Sequence, residues 1–283
     1  MELDKAVYDT GSFEVELSRY VTPTKVVDIL VDNPSKITLE QSGGPRYASS
    51  LSATSENIVV VDIYPGPLLR QIEYIRNPQN YWDSEPIKTE VEELKKRGLD
   101  PVPDLSKFGF YLKGDSKPEF ERFEVDNFRN CFDRCFAPEL LLHSSDSHEN
   151  LGIPIFQEVY DTLVKDGKFI FTVYPPSHAV KDTGCLDKYF EILTKTMKIK
   201  DMVIGGNWIN IENLSLAINQ QTFEKNKSFF DSFWIRDLSR IRLYTPEEIK
   251  YLSENRFRIL EMQNIPGGMF PFATRHFYIL EKI

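Results

Sequence analysis

The sequence predicts an α/β protein: a mostly parallel sheet with helices on both faces. Three observations predict it. Residues 57–61 carry an apolar run closed by Asp62, as expected of a strand buried on both faces. Candidate strands alternate with helical segments over the first 174 residues. Near the other end, residues 257–262 and 276–281 form two strands joined by a Pro-Gly-Gly turn and more loop, an antiparallel pair that closes the sheet.

The elements follow in order. Thr22-Pro23 is a helix start, a hydroxyl cap followed by proline at the first helical position. Val26, Val27, Ile29 and Leu30 give that helix an apolar face, and Asn33-Pro34 ends it. Residues 37–40 are a short strand, 41–45 a small-residue turn, and 47–51 one or two helical turns before the strand that stops at Asp62. Strand, glycine turn, helix and a second strand ending in an acid make the grammar of a nucleotide-binding βαβ unit. Leu68, Leu69, Ile72 and Ile75 then recur at helical spacing.

Five prolines interrupt residues 76–119. A charged helix at 85–97 and a short strand at 107–113 stand inside this stretch, and 78–119 reads as an insertion on the scaffold. Residues 120–125, ending at Asp126, are taken as the third strand. Residues 132–136 and 169–173 are further strands, with a helix at 155–163 between them. A second long segment, 175–240, holds a helix at 186–197 and an aromatic-rich run at 223–233. Thr245-Pro246-Glu247-Glu248 opens a helix with acids in its first turn.

Composition narrows the function. Hydrophobic residues at 41 % and charged residues at 27 % fit a soluble globular chain. A net charge of −9 without a basic cluster argues against a nucleic-acid partner. No apolar run approaches a membrane span, and the first residues lack a basic start followed by an apolar core. Cys131, Cys135 and Cys185 are too few and too irregular for a disulfide framework or a zinc ribbon. A cytoplasmic protein is expected. His143, Asp146 and His148 do not follow a known metal-ligand spacing, and no metal is expected.

The dinucleotide fingerprint G-x-G-x-x-G is absent. Residues 40–47 run Glu-Gln-Ser-Gly-Gly-Pro-Arg-Tyr. This resembles motif I of the class I (Rossmann-like) S-adenosylmethionine (SAM)-dependent methyltransferases, an acid followed by G-x-G-x-G. Its variant form is similar to the small-molecule amine N-methyltransferases of the nicotinamide and phenylethanolamine type. Glu40 takes the acid position, while Ser42, Gly44 and Arg46 take the glycine positions, so one glycine of three is kept. Three later segments also resemble the family. They are Phe132-Asp133 leading to His143, Leu163-Val-Lys-Asp-Gly-Lys-Phe before a strand, and Tyr244-Thr-Pro-Glu-Glu with the strand after Asn255.

The resemblance implies a Rossmann-like methyltransferase fold in a single domain, 1–283: a mostly parallel seven-stranded sheet with a C-terminal antiparallel strand. Residues 1–21, 78–119 and 175–240 match no motif of the family; 175–240 follows the strand ending near Tyr174 and is rich in aromatic residues, so a helical lid is expected there, with 1–21 closing from the other side. The cofactor implied is SAM, and the reaction is methyl transfer to a nitrogen or oxygen of a small molecule. A catalytically inactive methyltransferase-like binding or regulatory protein is the alternative, since Ser42 and Arg46 replace glycines. Glu40 is then expected near the methionine end of SAM, Ser42, Gly43 and Gly44 beneath the cofactor, and Tyr47 beside it. Asp62 would take the ribose hydroxyls and Ile63 the adenine face. Asp126, with Asn127 and Phe128, would meet the adenine amine, and Asp115 competes for that role. Ala137 and Pro138 follow the fourth strand at the ligand edge. His143, Glu139 and Tyr174 are the candidates for orienting or deprotonating the acceptor.

Overall fold

The computed structural model describes residues 24–41, 44–84, 87–113, 119–138, 140–143, 152–173, 207–210, 240–244, 246–266 and 274–283. The expected cover at 1–21, the helix at 186–197 and the aromatic run at 223–233 lie outside the described residues.

The chain enters through α1 (Thr24–Asp32) and β1 (Ser35–Gln41), then α2 (Ala48–Thr54), β2 (Ser55–Asp62), α3 (Pro65–Arg76) and α4 (Ile87–Lys96). It continues through β3 (Phe108–Leu112), β4 (Glu121–Arg122), β5 (Phe132–Ala137), α5 (Leu140–His143), α6 (Ile153–Thr162) and β6 (Leu163–Val173). It then passes through β7 (Asn207–Asn210), β8 (Arg240–Leu243), α7 (Pro246–Ser253), β9 (Phe257–Pro266) and β10 (Thr274–Lys282).

Among the described residues the main sheet has the order β4-β3-β2-β1-β5-β6-β10-β9. Pairing is parallel from β4 through β6, and β10 is antiparallel to both of its neighbours. So β10 alone runs against the rest. Seven of these strands are the expected ones in number. The eighth, β4, is a two-residue piece on the edge.

The sequence-based assignment of the third strand needs correcting. The strand beside β2 is β3 at Phe108–Leu112, with Val60 opposite Phe110 and Asp62 opposite Leu112. Residues 120–125 contribute only β4. The stretch 78–119 is therefore not simply an insertion, because it holds a strand of the sheet and the helix α4. Phe108, Phe110 and Tyr111 pack against the sheet's core clusters, and Leu112 is itself buried in one. That burial outweighs the polar, proline-rich composition around them.

Two apolar layers cover the sheet. Val26 and Leu30 of α1, Leu51 of α2 and Leu68 of α3 meet Val60, Phe136, Ile170 and Phe277 on one face. Ile155, Phe156 and Val159 of α6 and Ile249 and Leu252 of α7 meet Leu39, Val61, Phe169, Phe171 and Tyr278 on the other. Gly167 is required by packing, since a Cβ there would stand 2.8 Å from the Val164 carbonyl oxygen and 3.1 Å from that of Phe132. At the far edge β9 leaves Ile259, Leu260 and Met262 exposed. β7 and β8 form a separate antiparallel pair, so the described parts of 175–243 are extended rather than helical. β8 lies beside α5.

Arg134 of β5 is 1 % exposed and ties the amino edge of the sheet together. Its guanidinium donates to Thr38 Oγ1 at 3.0 Å, Thr54 Oγ1 at 3.0 Å and Ser55 Oγ at 2.7 Å. It also donates to the Leu30 and Asn33 carbonyls at the end of α1, at 3.2 and 2.5 Å. Burial lowers its pKa to about 10. Its neighbour Asp133 accepts from the Lys36 and Ile37 amides, so the Phe-Asp pair of the sequence aligns β5 with β1. Arg134→Ala would remove five hydrogen bonds from this edge and leave a cavity. It is expected to cost about 3–5 kcal/mol, read by urea unfolding. A loss below about 1 kcal/mol would show that the arginine is replaceable.

Candidate functional site

Parallel strands that enter from one edge all end at the other, where ligands bind in such sheets. Here Glu40 and Gln41 end β1, Asp62 ends β2, Lys113 follows β3, Ala137 ends β5 and Pro138 follows it.

Strand alternation sends Glu40 and Gln41 to opposite faces. Glu40 is 1 % exposed and accepts from Gln71 Nε2 at 2.8 Å. Gln71 is fully buried on α3, and its Oε1 accepts from the Gly44 amide at 3.0 Å. That amide can only donate, so the orientation of the Gln71 side chain is fixed. One glutamine thus holds the acid and the glycine turn together. Gly44 has no neighbour within 4 Å of a hypothetical Cβ among the described residues. Neither its backbone angles nor packing demands a glycine.

The first turn of α2 is capped from another helix. Tyr47, its N-cap residue, sits at φ 66° and makes no side-chain cap. Glu90 of α4 supplies one. Its carboxyl accepts from the Ser50 amide at 2.7 Å, Ser50 Oγ at 2.6 Å and the Tyr47 amide at 3.3 Å. These are the two backbone donors a capping box satisfies. The donors of the turn are therefore spent inside the protein: Gly44 on Gln71, and Tyr47 and Ser50 on Glu90. A pyrophosphate, which needs such amides, finds none of these three available.

Two buried carboxyls stand close in this cluster. Burial, and then the charge of Glu90, raise Glu40 to about 8, against the pull of Gln71 and Arg46. Burial raises Glu90 to about 7, opposed by its bonds from Ser50 and Tyr47. Arg46, at the third glycine position, is the counter-charge that lowers Glu40. This gives the departure from glycine a physical role.

The remaining candidates divide. Asp62 Oδ1 accepts from the Tyr64 amide at 2.8 Å. A carboxylate accepts more than one hydrogen bond, so this local turn is compatible with a ligand role. Ile63 beside it is 58 % exposed, an unusual state for isoleucine at a strand end. Tyr47 goes the other way: its ring is 1 % exposed and meets Phe136 edge-on at 5.2 Å. It packs the core.

Asp126 and Asn127 lie on an exposed 3-10 turn, Val125–Phe128, on the way back to the amino edge. Asp126 pairs with Arg129 at 2.8 Å, and Arg129 also reaches Asp161 near the end of α6. Phe128 stacks on Phe123 at 4.9 Å. The structure does not bring this trio to the carboxyl edge, because the third strand is β3. Counting from β3, the acid that follows is Asp115. Asp115, Ser42, Gly43, Glu139, Tyr174, Asp146 and His148 lie outside the described residues. His143 ends α5, the short helix that leaves the carboxyl end of β5. Among the described residues no group of His, Cys, Asp and Glu is arranged to hold a metal ion.

Sequence reading missed Gln71, Glu90, Gln41, Glu158 and Lys113. Two left a signal. Glu90 stands with Ile87, Val91 and Leu94 on the apolar stripe of α4, and Gln71 among Leu68, Ile72 and Ile75 on α3. A polar side chain on an apolar stripe is buried and needs a partner.

No protein-family model matches the chain, and no curated protein matches it. Solved structures do. A SAM-dependent methyltransferase from Methanosarcina mazei is 14 % identical, with 91 % of this chain and 97 % of that chain covered and a TM-score of 0.55. The N-methyltransferase NodS from Bradyrhizobium japonicum WM9, in complex with S-adenosyl-L-homocysteine (SAH), is 10 % identical over 99 % and 96 % of the two chains, with a TM-score of 0.46. The fold is that of the class I SAM-dependent methyltransferases.

The buried acids set a pH dependence. Between about pH 4.5 and 8 the folded state holds protons on Glu40 and Glu90 that the unfolded chain has released. Stability therefore falls as pH rises through that window. Glu40→Gln is expected to flatten the fall and to stabilise the protein at pH 8 by about 1–3 kcal/mol. Chemical unfolding at pH 5, 6.5 and 8 checks this. A variant that tracks the parent at every pH would place the titration elsewhere.

Proposed function

We propose that this chain is a SAM-dependent methyltransferase acting on a nitrogen or oxygen of a small molecule. The observation that carries the reading is the hydrogen-bond inventory of the first βα turn. Its amide donors are internally satisfied, while acids line the strand ends around it. Such an edge suits a cationic, donor-rich cofactor and disfavours a dinucleotide. SAM carries a sulfonium, an ammonium, two ribose hydroxyls and an amine.

Glu40 would face the methionine end, Gly44 with Ser42 and Gly43 would pass beneath the cofactor, and Asp62 would take the ribose hydroxyls. Ile63 would cover the adenine, with Ala137 and Pro138 along the other side. Asp115 replaces Asp126 as the acid for the adenine amine. When bound, the sulfonium supplies an activated methyl group. The protein then needs to align the acceptor in line with it and keep water out. His143, Glu139 and Tyr174 remain the groups proposed to orient the acceptor or remove its proton. β8, beside α5, brings one end of the segment 175–240 to this edge, in keeping with a cover there.

Isothermal titration with SAM and with SAH tests the reading. Binding in the micromolar range is expected. No heat at millimolar ligand would overturn it. The inactive-binder alternative is kept by Ser42 and Arg46. It requires SAM binding without methyl transfer to any of a panel of amines and phenols.

Two substitutions sharpen the test. Gly44→Val has room in the protein itself, so its melting temperature is expected to stay within a few degrees of the parent. Its affinity for SAM is expected to drop at least tenfold, because the added methyls occupy the cofactor's space. Unchanged affinity would move the cofactor off this turn. Asp115→Ala is expected to weaken SAM binding by about 1.5–3 kcal/mol, and Asp126→Ala by less than about 0.5. The opposite ranking would return the adenine to the 3-10 turn.

A further inference from the structure

Gln41, the last residue of β1, is 2 % exposed. Its Nε2 donates to Glu158 Oε1 on α6 at 2.8 Å. The other oxygen of that carboxyl, Oε2, pairs with Lys113 Nζ at 2.6 Å. A carboxylate can only accept, so the amide nitrogen must face it and the amide oxygen must turn away. That oxygen, Gln41 Oε1, has no hydrogen-bond partner among the described residues. Burying an amide oxygen without a donor is unfavourable. Yet the side chain is not left to choose its orientation: Lys113 holds Glu158, and Glu158 holds Gln41. The three residues run under the ends of β3, β2 and β1 on the α6 face.

We infer that Gln41 Oε1 accepts a hydrogen bond from the ammonium group of the bound cofactor, and that Glu158 and Lys113 position it to do so. The inference rests on the SAM reading. With the ribose on Asp62 of β2, and the adenine over Ile63 towards the end of β3, the amino-acid tail runs the other way. Neighbouring strands are about 4.8 Å apart, so the tail crosses the end of β1. An ammonium group is the cofactor's strongest donor on that side.

The experiment measures dissociation constants by titration calorimetry for SAH and for its des-amino analogue. The proteins are the parent, Gln41→Leu and Glu158→Gln, each checked for folding by thermal melting. The parent is expected to prefer SAH. Gln41→Leu is expected to lose tenfold or more in SAH affinity while binding the des-amino analogue almost as the parent does. Glu158→Gln frees the Gln41 amide to rotate and is expected to shrink the same preference by a smaller factor. If Gln41→Leu keeps the parent's affinity for SAH, or weakens both ligands equally, the assignment is overturned and Gln41 is a strut for α6. If Gln41→Leu does not fold, an undiminished preference in Glu158→Gln overturns it instead. If the parent binds neither ligand, the cofactor reading falls and takes this one with it.

Discussion

The carboxyl edge of this sheet depends on a carboxyl group borrowed from outside the βαβ unit. Glu90 of α4 satisfies the first backbone donors of α2, a helix of seven residues that starts from a left-handed tyrosine and has no cap of its own. A helix this short is marginal without help. Without Glu90 the turn carrying Gly44 would have no fixed end to hang from. Gln71 then joins the same turn to Glu40. The glycine turn is held by one glutamate and one glutamine from two helices that follow it in the chain.

This lattice explains how a turn keeping one glycine of three can still be orderly. Gly44 has nothing among the described residues where a Cβ would stand, Arg46 pulls against the raised pKa of Glu40, and the amides of Gly44, Tyr47 and Ser50 are already bonded. The chemistry of the edge is thereby biased. It presents acceptors rather than backbone donors, and so it favours hydrogen-bond donors in whatever it holds. The arrangement keeps two carboxyls out of water, which is unfavourable unless they hold their protons.

Much of the fold was legible in the sequence because parallel strands and amphipathic helices announce themselves locally. Residues 57–61, 132–136 and 169–173 each lie within observed strands, and the closing pair 257–262 and 276–281 lies within β9 and β10. The third strand was misread because β3 has only five residues, Phe-Gly-Phe-Tyr-Leu, among prolines and charges, and its burial comes from distant partners. That misreading is why Asp126 was placed ahead of Asp115 as the candidate acid. Tyr47 looked like a ligand wall because aromatic side chains suit either role. Gln71, Glu90 and Glu158 were missed because their partners lie far away in the chain, 27 to 117 residues off.

The position of β9 has a consequence for how the chain assembles. β9 emerges before β10 yet lies outside it, at the edge of the sheet. Until β10 slots between β6 and β9, the earlier strand has no ladder to join. During that interval β6 is an open edge, and Ile259, Leu260 and Met262 sit on a strand with no partner. An unpaired apolar strand is a template for joining another chain. β9 therefore joins the sheet only through β10, and an edge of β6 left without β10 is a place for another chain to pair.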